Sequence, residues 1–195
     1  MLIPNTVLTK SDESKGRMYK GGLLHYEKAR KTIKKCLAYT KQPNTFVTTM
    51  FDLYALPQDT PGMDKIENCT NKYEMVYMIE REMISREESE LSKPVYFPYI
   101  QLHEFEALLF ADLDVFAESY FEYDIRPLRD CLEKENNPEL INNGATTAPS
   151  KRILSCIPDY DKATRGVEIL EKIGVDALCK SCKHFSDWII SLKDL

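Results

Sequence analysis

The sequence predicts a single α/β domain, with a sheet and its flanking helices in residues 1–110 and a helical part in residues 111–195. Three observations predict it. The chain has 195 residues, 43% hydrophobic and 29% charged, the proportions of a folded domain that buries about 70% of its unfolded surface. Two runs rich in β-branched and aromatic residues, 44–52 and 95–101, alternate with helical patterns, as in an open α/β sheet. Beyond Asp112 every periodic segment reads as helix.

Taken in order, residues 2–8 read as a short strand, with Pro4 suited to a sheet edge. Residues 9–22 are polar and hold Gly16, Gly21 and Gly22, which predicts a loop. Tyr26, Ala29, Ile33, Cys36 and Leu37 recur at helical spacing with the cations opposite, so a helix is expected over 24–39. The run 44–52 lacks clean alternation, which predicts a central strand covered on both faces and ending in Asp52. Ile66, Cys69, Tyr73, Val76, Tyr77 and Ile84 mark a second helix, whose charged end from Glu80 to Glu90 reads as solvated. A strand follows over 95–101. The spacing then changes at Leu102, Phe105, Leu108 and Leu109, which places His103 and Glu104 at a strand-to-helix junction. Further helices are expected over 126–135, 150–157 and 162–173, the last stopped by Gly174. A final apolar stripe, Phe185, Trp188, Ile189 and Leu192, has Ser186 in place to cap it.

The net charge of −5 is unevenly spread. Between Lys15 and Lys41 nine cations face Glu27 alone, a local +8 that leaves −13 for the rest. Such a segment can attract phosphate backbones, and from charge alone a solvated lysine-rich helix face is the simpler reading. Lys28, Lys31 and Lys35 are its candidate nucleic-acid contacts. No apolar run approaches the roughly 20 residues of a membrane span, and the start Met1-Leu2-Ile3-Pro4-Asn5 does not read as a secretory signal. The six cysteines are scattered, as expected of thiols in the cytoplasm. Cys179-Lys180-Ser181-Cys182 before His184 lacks a fourth ligand at suitable spacing for zinc. Phosphate-loop, dinucleotide-binding and nucleophile-elbow motifs are absent, which leaves ATP hydrolysis within the chain, nicotinamide chemistry and α/β-hydrolase chemistry unsupported.

Two sites carry acids at strand ends: Asp52 after one strand, and Glu104 with Glu106 after the other. Ligands of open α/β sheets bind beyond the carboxyl ends of strands, and clustered carboxylates suit Mg²⁺ or Mn²⁺. Within one helix Glu104 and Glu106 would diverge by about 200° and could not chelate together. The same positions suit acids that merely favour a helix N-terminus, so spacing leaves both readings open. A second set, residues 143–152, joins a polar loop to a helix start bearing Ser150, Lys151 and Arg152, fit to hold an anion, with Lys162 following. An ordinary capped helix with surface cations is the simpler explanation of this set. His103 is the histidine beside the acids.

Four stretches resemble a bacterial family, domain-of-unknown-function family four-two-seven-six. They are Tyr19-Lys20-Gly21-Gly22 with Tyr26-Glu27-Lys28; Val47-Thr48-Thr49-Met50-Phe51-Asp52 with Tyr54; Pro98-Tyr99-Ile100-Gln101-Leu102-His103-Glu104-Phe105-Glu106-Ala107-Leu108-Leu109; and Thr147-Ala148-Pro149-Ser150-Lys151-Arg152-Ile153. The resemblance implies a TOPRIM-like, Rossmann-like sheet and a place in antiphage defence beside an ATPase partner. It further implies Mg²⁺-dependent nuclease chemistry, with Asp52 and Glu104 on the metal, and Glu106, His103 and Lys151 in support. TOPRIM domains carry an Asp-x-Asp pair; Asp52 matches its first acid and Tyr54 stands at the second. Relatives usually begin with a strand and helix bearing a further glutamate, and the matching part of this chain starts after it. That departure supports the alternative of a binding or regulatory subunit without catalysis.

Overall fold

The computed structural model describes residues 3–4, 10–12, 17–19, 23–38, 45–89, 95–142, 144–162 and 164–195. The chain divides into two compact units, one from Met1–Phe51 and Ala55–Ile100, the other from Asp52–Tyr54 and Gln101–Leu195. It is a mixed α/β protein in which helix predominates. Among the described residues no helix is long and apolar enough to cross a membrane.

In the first unit, the segment predicted as a loop contains two short strands, β1 (Lys10–Asp12) and β2 (Arg17–Tyr19), paired antiparallel with Lys10 opposite Tyr19. Three backbone pairs need no apolar side chain, so composition did not announce them. Ile3 and Pro4 lie outside any strand; the rest of the expected opening strand, and Lys20, Gly21 and Gly22, lie outside the described residues. Helix α1 (Tyr26–Ala38) follows the predicted stripe, burying Tyr26, Ala29, Ile33 and Leu37.

β3 (Val47–Asp52) and β4 (Tyr96–Gln101) form a two-stranded sheet. Val47 N–H donates to Val95 O at 2.7 Å, and the Thr48 hydroxyl bonds Phe97 O; the partners advance together, so the strands are parallel. A parallel pair needs a crossover, and α2 (Lys72–Glu88) lies within it. The expectation of a central strand covered on both faces is corrected here. β3 has one strand neighbour among the described residues, its side chains are half-buried, and Met50 is exposed.

Helix α2 corrects a second expectation. Its buried stripe is Val76, Ile79, Glu80, Met83 and Glu87, so two glutamates of the charged end turn inward while Arg81 and Arg86 stay exposed; Glu90 lies outside the described residues. Each inward glutamate has a polar partner, which is what makes burial of a carboxylate tolerable. Glu80 Oε1 accepts the Ile100 N–H at 2.7 Å. Glu87 Oε1 accepts from Arg30 Nε at 3.1 Å and from the Tyr26 hydroxyl at 3.3 Å. Glu88 Oε1 accepts the N–H groups of Val95 and Tyr96, anchoring the start of β4. Arg30, counted among the outward cations from sequence, thus turns inward.

The second unit is helical, as expected beyond Asp112. It comprises α3 (Leu113–Ser119), α4 (Arg126–Glu135), α5 (Pro149–Cys156), α6 (Arg165–Ser181) and α7 (Lys183–Lys193). Of these, α3, α5 and α6 pack on a 3₁₀ helix over Phe105–Ala111 that buries Ala107, Leu108, Leu109 and Phe110, while α4 packs on α5 and α7 on α6. α6 runs past Gly174 but breaks its helical geometry there, at φ 76° and ψ 159°. A side chain would meet no atom at that position, so glycine is needed for its backbone conformation alone. Ser186 lies inside α7 and does not cap it. The cap is Glu139, fully buried, whose two carboxylate oxygens accept the N–H groups of His184 and Phe185 at 3.0 and 2.9 Å.

Candidate functional site

Asp52 is the last residue of β3, and the chain leaves it through a 3₁₀ turn over Leu53–Ala55 that presents Tyr54, 54% exposed. Glu104 follows the end of β4 in extended conformation (φ −88°, ψ 154°), and Glu106 sits in the first turn of the 3₁₀ helix. The change of period predicted at His103 and Glu104 is therefore present, but the helix that follows winds with three residues per turn. The spacing of Leu102, Phe105 and Leu108, three and three, already carried that signal. Extended backbone at Glu104 frees the two acids from the divergence that a shared helix would impose.

Every acid of this cluster is engaged by a group distant in sequence or by its own turn. Glu104 Oε2 accepts the Ser150 N–H at 2.9 Å, at the N-terminus of α5. Glu106 is fully buried and its Oε2 accepts from Lys162 Nζ at 2.8 Å. The other oxygen, Oε1, is buried and has no hydrogen-bond partner among the described residues. Asp52 accepts a hydrogen bond from the Tyr54 hydroxyl.

The electrostatics follow from this crowding. Burial pushes the Asp52 carboxyl up to about 6; Glu106 and Glu104 add to the rise, while Lys162 and the Tyr54 hydrogen bond oppose it. Burial, with the charges of Asp52 and Glu104, raises the Tyr54 phenol, keeping it a proton donor. Burial works against the Lys162 ammonium, but its hydrogen bond to Glu106 and the charges of Glu106 and Asp52 win, so it is held above its usual value. Three carboxylates and one ammonium leave a net charge near −2 in a partly buried space.

The remaining candidates are placed as follows. His103 is buried at the bend between β4 and the 3₁₀ helix. Lys151 is exposed on α5. Arg152 donates from Nε to Thr147 O at 2.7 Å, so it closes its own loop. The anion that sequence placed at the start of α5 is the protein's own Glu104 carboxylate. Asn143 lies outside the described residues. Lys28, Lys31 and Lys35 are exposed on α1, in the other unit. Tyr54 is the member that residue chemistry alone passed over; its place two residues after Asp52, on a strand end, was the available signal. Cys182 is buried between α6 and α7, and burial, with Glu139 and Cys179 nearby, raises its thiol, which suits an inert cysteine.

The oxygen donors are of the kind that Mg²⁺ takes. Among the described residues no three His, Cys, Asp or Glu side chains converge into a ligand set. Mg²⁺ commonly uses one or two carboxylates and completes its shell with water and phosphate, so the donors present fit a partial site of that type.

The model of the family described as Domain of unknown function (DUF4276) matches residues 1–193. The chain belongs to that family. No curated protein and no solved structure matches it. The match takes in both acidic strand ends, Ser150 and Lys162, so the whole cluster lies within the family's domain.

Proposed function

We infer that the chain is a Mg²⁺- or Mn²⁺-dependent phosphodiester-processing protein, of the TOPRIM-like nuclease type, whose working site is Asp52, Glu104, Glu106 and Lys162. One observation carries the reading: a fully buried glutamate with one oxygen on Lys162 and the other unpartnered, set beside two further acids. A site of net charge near −2 is electrostatically incomplete, and a divalent cation complements it. Asp52 and Glu104 would hold the ion, which would polarise a phosphoryl oxygen and neutralise charge developing on it. The protein's own groups have separate tasks. Ser150 N–H fixes Glu104, Lys162 supplies a cation within the acid cluster, and Tyr54 holds the Asp52 carboxylate. Lys28, Lys31 and Lys35 offer an exposed cationic face suited to a nucleic-acid backbone.

The test is Mg²⁺-dependent cleavage of labelled single- and double-stranded DNA and RNA by the parent and by Asp52→Ala. Loss of about a hundredfold or more is expected of the variant. Equal rates in the two proteins would sink the assignment of Asp52.

A second reading is a binding or regulatory subunit, working with an ATPase in a bacterial defence complex. It is favoured by the internal engagement of every acid. It predicts nucleic-acid or partner binding that survives Asp52→Ala, with no metal-dependent cleavage by the parent.

A further inference from the structure

The partners of the cluster differ in how firmly they are held. Glu104 is bonded by a backbone N–H at the start of a helix, and that donor is fixed by the fold. Glu106 has no exposed surface and cannot leave. Its partner Lys162 can: the side chain is 55% exposed, on a flexible four-carbon stem, reaching in from the segment between α5 and α6. The ammonium thus stands at the carboxylate of this cluster whose second oxygen is buried without a hydrogen-bond partner among the described residues.

Resting on the metal reading above, we propose that Lys162 is a built-in competitor for the divalent cation: its ammonium is the counter-charge at Glu106 until a metal ion held by Asp52 and Glu104 replaces it in that role. The swap exchanges one positive charge for two in a cluster of three acids. It leaves the fully buried Glu106 carboxylate with a counter-charge at every stage, and the long exposed side chain returns to water at little cost. Glu104 offers no such exchange, because its donor is backbone. If the ammonium occupies the site about nine-tenths of the time, its removal tightens metal binding roughly tenfold.

The experiment is calorimetric titration of Mn²⁺ into the full-length parent, Lys162→Met and Lys151→Met, at low salt and at about 0.5 M KCl. Lys162→Met is expected to bind roughly tenfold more tightly, with the gain retained in high salt, since a contact ion pair is screened far less than charges acting through solvent. Lys151→Met, an exposed cation on α5, is expected to stay within about twofold of the parent at high salt. In the unaltered protein, the Lys162 side-chain amine resonance is expected to shift as Mg²⁺ is added. Equal Mn²⁺ affinity in the parent and Lys162→Met overturns this inference and leaves the metal reading standing. Absence of Mn²⁺ binding in all three proteins overturns both. Should Lys162→Met fail to fold, a Lys162 resonance unmoved by saturating Mg²⁺ overturns the inference on its own.

Discussion

Asp52 is ionised at neutral pH only against the cost of its surroundings. Burial and two neighbouring carboxylates raise its folded-state pKa to about 6 from the ordinary 3.8. The folded state therefore holds this proton more tightly than the unfolded chain does. The stability gained from it is complete below about 3.8 and is lost as pH rises through about 6. Asp52→Asn keeps the shape and removes the charge. Its unfolding free energy should exceed the parent's by about 1–2 kcal/mol at pH 8 and match it near pH 4. Thermal unfolding of both proteins across that range checks the sign, and a gain independent of pH would refute the crowded-acid account. The same variant should lose metal-dependent activity, a stability gain at the expense of function.

Glutamates that reach across to another element's backbone are the recurring device of this structure. Glu80 and Glu88 anchor β4, Glu104 meets the start of α5, and Glu139 caps α7. Glu139 is the clearest instance because both oxygens are used, on N–H groups of the first turn of α7, where the helix itself supplies no i−4 carbonyl. Glu139→Ala leaves two buried donors unsatisfied and should cost about 2–4 kcal/mol in urea unfolding. Hydrogen exchange should show protection at His184 and Phe185 falling before the rest of α7. Glu139→Gln keeps one acceptor oxygen and should fall between the two. Unchanged stability of the alanine variant would remove Glu139 as the cap.

Across the whole molecule the net charge of −5 conceals the cationic face of α1. Arg30 is withdrawn from that face by Glu87, leaving Lys28, Lys31, Lys34 and Lys35 exposed. If Lys28, Lys31 and Lys35 each neutralise one phosphate, changing all three to Gln should weaken nucleic-acid binding. It should also lower the slope of log affinity against log salt by about 2–3. Fluorescence anisotropy with a labelled oligonucleotide over a KCl series measures it, and an unchanged slope would show that this face carries no backbone contact.

The sequence by itself determined what depends on local spacing. The apolar period of α1, the span of α4, the break at Gly174 and the acids at the ends of β3 and β4 are all properties of short stretches, and all are present. Its misreadings concern charged groups and pairing. Glu80 and Glu87 were placed in solvent because a glutamate in a charged run is ordinarily solvated, yet Ile100, Arg30 and Tyr26 draw them inside. Ser186 was a plausible cap until Glu139, 45 residues away, supplied a better acceptor. The number of strands beside β3 was equally beyond local pattern. The candidate site divides the same way. Asp52, Glu104, Glu106 and Lys162 were named from residue type and position. That Lys162 sits on Glu106 across 56 residues, and that Ser150 holds Glu104 across 46, only the tertiary structure decided. The physical reason is that a buried charge is permitted by its partner, and the partner is chosen by the fold rather than by neighbours in the chain.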